Sequence, residues 1–303
     1  SATPSVDWAW YGNWHGLPDS WGVLIDPDLR LLNAAVEGQL FFDARPERDF
    51  RVFGKLKTSF GYNSSALELT PAGDPWQWEL RLFELFSDFQ LGDRVFFRVG
   101  KHTIRWGVGY FFSPADVLNI SPIDVEDPEA EREGPVSLRV QVPFGPHNAY
   151  LYVIAAEDAV KPEAIAYAPK IELVIGEYEL GIGAYYRPDM QVRPKATLTL
   201  SGSIWDIDLF GEAVFQWGSD RTYVRYDPAA IPPDPIYETY TLLDEPFYSG
   251  TVGAAYLNAD WNLALYAQYY YNGTGYTELS ANDGLALSAA LGAAAISQAD
   301  ARY

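Results

Sequence analysis

Between Ser203 and Trp217 apolar and polar residues alternate with a period of two. Trp205, Ile207, Leu209, Gly211, Ala213, Phe215 and Trp217 share one parity, and Asp206, Asp208, Glu212 and Gln216 share the other. Successive side chains of a β-strand point to opposite faces, so the pattern predicts a strand that is apolar on one side from end to end. Globular strands run roughly 5 to 6 residues. This one is longer, and its apolar row begins and ends in Trp, as expected of a strand that meets an aqueous interface on each side of a bilayer. A long half-buried strand of a soluble sandwich would alternate in the same way, so the weight falls on repetition.

The pattern repeats along most of the chain. Tyr178, Leu180, Ile182, Ala184 and Tyr186 oppose Glu177, Glu179, Gly181, Gly183, Tyr185 and Arg187; Trp261, Leu263, Leu265, Ala267, Tyr269 and Tyr271 oppose Asn262, Ala264, Tyr266, Gln268, Tyr270 and Asn272. Residues 34–43, 53–62, 134–143 and 195–202 follow the same rule, and residues 94–104, 149–156, 170–176 and 249–258 follow it less strictly. Residues 77–90 lose their parity near Leu82 and Phe83, which predicts a strand with a bulge, or else a short helix.

Connections between these strands alternate in length. Counting from the strand at Ala34, short links (44–48, 91–93, 144–147, near 176, near 203, and 258–260) alternate with long ones (63–76, 107–133, 157–167, 188–194, 218–246, and 273 onward). Transmembrane barrels combine short periplasmic turns with long external loops. The strand at Ala34 therefore runs inward, and residues 5–12, where Val6, Trp8 and Trp10 alternate with Asp7, Ala9 and Tyr11, supply an outward strand before it. The prediction is an all-β fold: one transmembrane antiparallel β-barrel domain over residues 1–303, with external loops at 107–133, 218–246 and 273–303. Thirteen strands are legible, and bacterial barrels have even numbers. The barrel is accordingly expected to have about 14 or more strands and the chain to be incomplete at its C-terminus.

Composition agrees with an exported β protein. Aromatic residues make up 16% of the chain and there is no Cys. The longest near-apolar stretch, 285–296, is shorter than the roughly 20 residues a membrane helix needs, so any crossing must use closed sheets. A net charge of -20 argues against nucleic acid, whose phosphates require a basic face. His15, His102 and His147 form no metal-ligand spacing, no Gly-x-Ser-x-Gly elbow occurs, and phosphate-loop and dinucleotide fingerprints are missing. No catalytic residue, metal or cofactor is assigned; the partners read from the sequence are membrane lipid and a small-molecule or ionic solute. No face is distinctive enough to assign an oligomeric interface.

The most distinctive local sequence is Gly100-Lys101-His102-Thr103-Ile104-Arg105-Trp106-Gly107, followed by Asp116-Val117-Leu118-Asn119 and Pro122-Ile123-Asp124. It resembles a pattern in Gram-negative outer-membrane porin-like families, including alginate-export-like porins: a basic residue after Gly, then Trp-Gly, then an inward-folded loop with Asp-x-x-Asn and Pro-x-Asp. The resemblance spans about 45 residues of the chain, with Lys101 where Arg is frequent. It implies a bacterial outer-membrane channel and transfers no substrate.

Parity places Arg94, Arg98, His102 and Arg139 on the polar face, opposite an acidic loop that includes Asp116 and Asp124. If that loop folds inward, charge and width at the constriction would select solutes. The bland alternative is that the arginines pair with nearby carboxylates such as Glu79 or Glu172. Asp206, Asp208 and Glu212 are read as lumenal carboxylates that would bias the pore toward cations unless Arg94, Arg98 and Arg139 across the wall offset them. The leading function is a small-solute channel narrowed by the acidic loop. A transporter of hydrophobic compounds like the long-chain fatty acid channels is the alternative, with Phe96, Tyr185, Phe210, Tyr266 and Tyr270 along its path; a structural or adhesive surface barrel is another.

Overall fold

The structure is a computed structural model that describes residues 2–10, 30–63, 76–120, 123, 127–155, 160–230, 235–276, 280–293 and 296. It divides into two compact units, Ser1–Ser87 and Asp88–Tyr303. In the first, β1 (Ala2–Trp10), β2 (Arg30–Glu47), β3 (Phe50–Asn63) and most of β4 (Trp76–Leu91) follow one another. β1 and β2 are antiparallel from Ala2↔Gly38 to Trp10↔Arg30, and β2 and β3 from Asn33↔Asn63 to Glu47↔Phe50, with a register shift near the turn. Thr58 Oγ1 donates to the Glu79 carbonyl at 3.0 Å, holding β4 beside β3.

The second unit is a wall of strands in chain order. It comprises β5 (Val95–Lys101), β6 (Val136–Phe144), β7 (His147–Ala155), β8 (Ile165–Ile175), β9 (Tyr178–Tyr185), β10 (Lys195–Ile204) and β11 (Ile207–Trp217). β12 (Tyr223–Tyr226) and β13 (Tyr237–Tyr240) form a separate two-stranded ribbon, and β11 pairs directly with β14 (Pro246–Asn258), which pairs with β15 (Leu263–Asn272). Thirteen wall strands are thus present among the described residues, each antiparallel to the next where its register is described. Short turns alternate with long excursions as the spacing predicts.

Two features differ from expectation, the extent of one strand and the content of the long loops, while a third, the bulged strand, is as expected. The alternation from Ser203 to Trp217 is not one strand: Ile204 pairs with Ile207 across a two-residue turn, Trp205–Asp206, in which Trp205 takes φ +56°. Residues that pair across such a turn face the same side, so Trp205 falls into the parity of β11 by arithmetic alone. β4 is the bulged strand that its lost parity predicts and not the alternative short helix. Its exposed apolar side chains shift from Trp76, Trp78, Leu80 and Leu82 to Leu85, Phe89 and Leu91, while Phe83 and Phe86 are buried. An extra residue between Leu82 and Leu85 accounts for that switch of face. Within the loops expected at 218–246 and 273–303 lie the ribbon and a helix, α1 (Ala281–Gly292), whose Ala286, Leu287 and Ala290 pack on Val224. Ser280 and Asp283 close a reciprocal capping box at its N-terminus.

The second unit's wall has one bare face and one covered face. Leu151, Ile171, Ile182, Leu198, Phe215, Val252 and Tyr269 stand exposed on the bare face. Lys170, Thr197, Thr199, Glu212, Gln216 and Thr251 are buried on the other, reversing the arrangement of a water-soluble protein.

Candidate functional site

The covered face is occupied by the described residues, 102–120, 123 and 127–135, of the excursion between β5 and β6. Its Ile104, Trp106, Ala115 and Leu118 are buried against Tyr152, Ile154, Ala166, Ala168, Tyr185 and Val214 of the wall. Burying the Ile104 and Leu118 side chains stabilises by about 1.5–3 kcal/mol each. Trp106 is fully buried; its indole N–H donates to Thr197 Oγ1 at 3.3 Å, and its ring lies where a side chain at Gly183 would stand, 2.6 Å from the nearest ring atom. Lys170 Nζ donates to the Trp106 carbonyl at 2.9 Å and pairs with Glu172 at 2.9 Å.

Two polar side chains bind the excursion by its backbone. Glu212 Oε1 accepts from Val108 N at 2.5 Å, Gly109 N at 2.6 Å and Ser113 Oγ at 2.8 Å, and Oε2 accepts from Ala115 N at 2.8 Å. Charge-assisted bonds of this kind are the strong ones, and four of them offset the cost of burying a carboxylate. Gln268 Oε1 accepts from Phe111 N at 2.7 Å, while its amide donates to the Phe112 carbonyl at 2.5 Å and to Thr251 Oγ1 at 2.6 Å. Tyr110 stacks on Tyr266 at 4.1 Å between ring centres, and Phe112 on Tyr270 at 5.3 Å.

The Asp-x-x-Asn segment braces the excursion internally. Asp116 pairs with Arg132 and accepts from Asn119 Nδ2 at 2.9 Å; Asn119 Oδ1 accepts from Ile104 N at 3.0 Å, and its amide donates to the Ile104 carbonyl at 2.5 Å. Lys101 pairs with Glu133 where the excursion leaves and rejoins the sheet.

Behind the start of the excursion is a cavity of about 320 Å³, lined by Arg98, Arg105, Arg139, Tyr150, Tyr152 and Glu172, with His102 at its margin. Arg98 and Arg139 are cross-strand partners, as are Arg139 and Tyr152, so the two guanidinium groups are presented side by side. Asp88 holds Arg98 through both oxygens at 2.6 and 2.9 Å, whereas Arg139 Nε is buried with no hydrogen-bond partner. His102 is 1% exposed and its Nδ1 lies 3.1 Å from the Gly100 carbonyl.

No family model and no curated protein matches the chain, so the alginate-export-like resemblance gains no support there. Solved structures of porins do match. Salmonella typhi OmpF in complex with daunomycin is similar at 10% identity and TM-score 0.46, over 80% of this chain and 71% of that one. A triple mutant of Rhodopseudomonas blastica porin is similar at 9% identity and TM-score 0.39, over 85% of this chain and 91% of that one. At these scores the likeness adds nothing to the argument from geometry.

Of the residues picked out in the sequence, Arg98, His102 and Arg139 come together. Arg94 does not: it is exposed in the turn before β5, where its amide donates to the Leu91 carbonyl at 3.3 Å. Asp206 is likewise a turn residue, and Asp208, beside the turn, accepts from Ser203 Oγ at 2.5 Å. Glu212 is an anchor saturated by amide donors and not an open lumenal carboxylate. Asp116 faces Arg132 of its own excursion and not the wall arginines. Asp124 lies outside the described residues. Arg105, Lys170, Tyr150, Tyr152 and Gln268 belong to the site as well. Gln268 and Tyr150 sit on polar parities, but nothing local in the sequence says which loop they meet.

Proposed function

We propose that the chain is the wall of a bacterial outer-membrane β-barrel, a single domain whose bare face meets lipid and whose covered face lines a channel for small solutes. The observation that carries this reading is the reversed polarity of the wall: apolar side chains exposed on one face and charged ones buried on the other. A sheet facing hydrocarbon outward and water inward needs that arrangement. Aromatic residues at both ends of the bare face, Trp205 and Trp261 by the short turns and Trp217 and Tyr248 at the opposite ends of their strands, suit two membrane interfaces. The partners in this reading are membrane lipid and the solute, and no catalytic step is assigned.

The excursion at 102–135 narrows the lumen, and the solutes that its remaining basic cavity favours are small anions. Glu212 is spent on amide donors and Asp206 lies in a turn, which removes two of the three carboxylates that the sequence counts toward cation preference. Arg98, Arg105 and Arg139 outnumber Glu172 and the Asp88 that pairs with Arg98. Reversal potentials across planar bilayers under a salt gradient test the reading. Arg98→Ala and Arg139→Ala are each expected to move the potential toward cation preference; no shift in either variant would reject the basic cavity as the selective element.

A further inference from the structure

A second cleft, of about 530 Å³, lies where the excursion crosses the ends of β5, β6, β7 and β9. Val117, Leu118 and Ile120 form its roof, and Val136, Ile154 and Tyr185 belong to its walls. Those walls come from both faces of the sheet. Ile154, 5% exposed, and Tyr185, 8% exposed, sit on the covered face, whereas Val136, 51% exposed, alternates with buried Ser137 and sits on the bare one. The last paired residues here are Lys101↔Val136 and Val136↔Ala155, so the strands stop at this level and the cleft passes over their rim.

Its chemistry is apolar. The polar side chains at its margin are engaged elsewhere: Lys101 with Glu133, and Asn119 with Ile104 and Asp116. A charged solute entering it would lose hydration without gaining a matching partner, whereas an apolar one gains for each Å² it buries. A volume of this size is in the range that holds a small organic ligand.

We propose that this cleft binds an uncharged apolar small molecule, a hydrocarbon or aromatic ring compound, and that the ligand reaches it from the lipid phase along the bare face. The proposal rests on the reading of that face as lipid-facing. It assigns the rim a route for apolar compounds separate from the basic cavity that serves anions.

The test uses the full chain in phospholipid vesicles, an uncharged diazirine-bearing alkylbenzene as photoprobe, and mass-spectrometric mapping of the adducts. Adducts are expected on residues 117–120 and on Ile154, falling about tenfold with excess naphthalene, as mass action requires of a saturable site. Ala155→Trp, which fills the rim from the bare side, is expected to lower them as much; Val136→Trp tests the same point from β6 if the first variant fails to fold. Adducts on Val252 and Tyr269, far from the cleft on the bare face, should respond to neither. Cleft adducts that are missing, or that naphthalene does not reduce, while Val252 and Tyr269 are labelled, overturn the site and leave the membrane reading intact. Missing adducts at Val252 and Tyr269 overturn the membrane reading itself, and the lipid route with it.

Discussion

Glu212 shows how far one residue's role depends on what folds onto it. Its parity on β11 is plain from the alternation, but its partners are the amides of Val108, Gly109 and Ala115, about a hundred residues earlier. Gly107 belongs to the same contact: a Cβ there would lie 2.6 Å from Glu212 Oε1 and closer still to Ser113 Oγ, so the Trp-Gly pair leaves room for the carboxylate. Replacing Glu212 by Leu strands three backbone donors at about 1–3 kcal/mol each. The excursion should then leave the wall, read as faster proteolysis between residues 102 and 135 and a larger single-channel conductance. Glu212→Gln keeps the acceptor for Val108 and Gly109 but turns an amide donor toward Ala115, so its effect should be intermediate. Unchanged proteolysis and conductance in the Leu variant would remove Glu212 from the role of anchor.

Among the elements, wall strands are the most legible because a period of two survives any exposure. What that period conceals is the turn at Trp205–Asp206, since the arithmetic of a two-residue hairpin continues the row. Gly181 and Gly183 on the polar parity of β9 have no reason within the sequence; the Trp106 ring opposite Gly183 supplies one. The ribbon and α1 are hidden for a different cause. Each is too short to hold on its own, and α1 is stabilised by packing on Val224, Tyr226 and Tyr237. Asp283 caps α1 and also accepts from Tyr226 N at 3.1 Å, and these donors, the Ser280 hydroxyl foremost, hold its carboxyl below the usual range. A depressed carboxyl contributes stability above its unfolded pKa and loses it on acidification, here below about pH 4. Hydrogen exchange of residues 281–292, corrected for intrinsic rates, should therefore lose protection on acidification below that range. Asp283→Ala should be equally unprotected near neutral pH, and protection that persists in that variant would show the cap to be dispensable.

At the scale of the molecule the reversed polarity is the property to challenge. Val252 lies in the middle of β14, 60% exposed on the bare face. In a bilayer, Val252→Arg should cost about 2–4 kcal/mol, the penalty for a cationic side chain near the hydrocarbon midplane. Folding titrations in vesicles read that loss directly. A surface substitution in a water-soluble sheet would move stability by about 0.5 kcal/mol or less, so an effect that small would count against a lipid-facing wall.

The sequence by itself determined the wall strands, the alternation of short and long connections and the sign of each face, because these depend only on period and spacing. Arg98 and Arg139 share one face by parity alone. Tertiary structure alone decided which charges stay open, since that depends on contacts between residues far apart in the chain. The excursion took Glu212 and Gln268 for its own backbone, paired Asp116 with Arg132, and left a basic cavity on one side and an apolar cleft on the other.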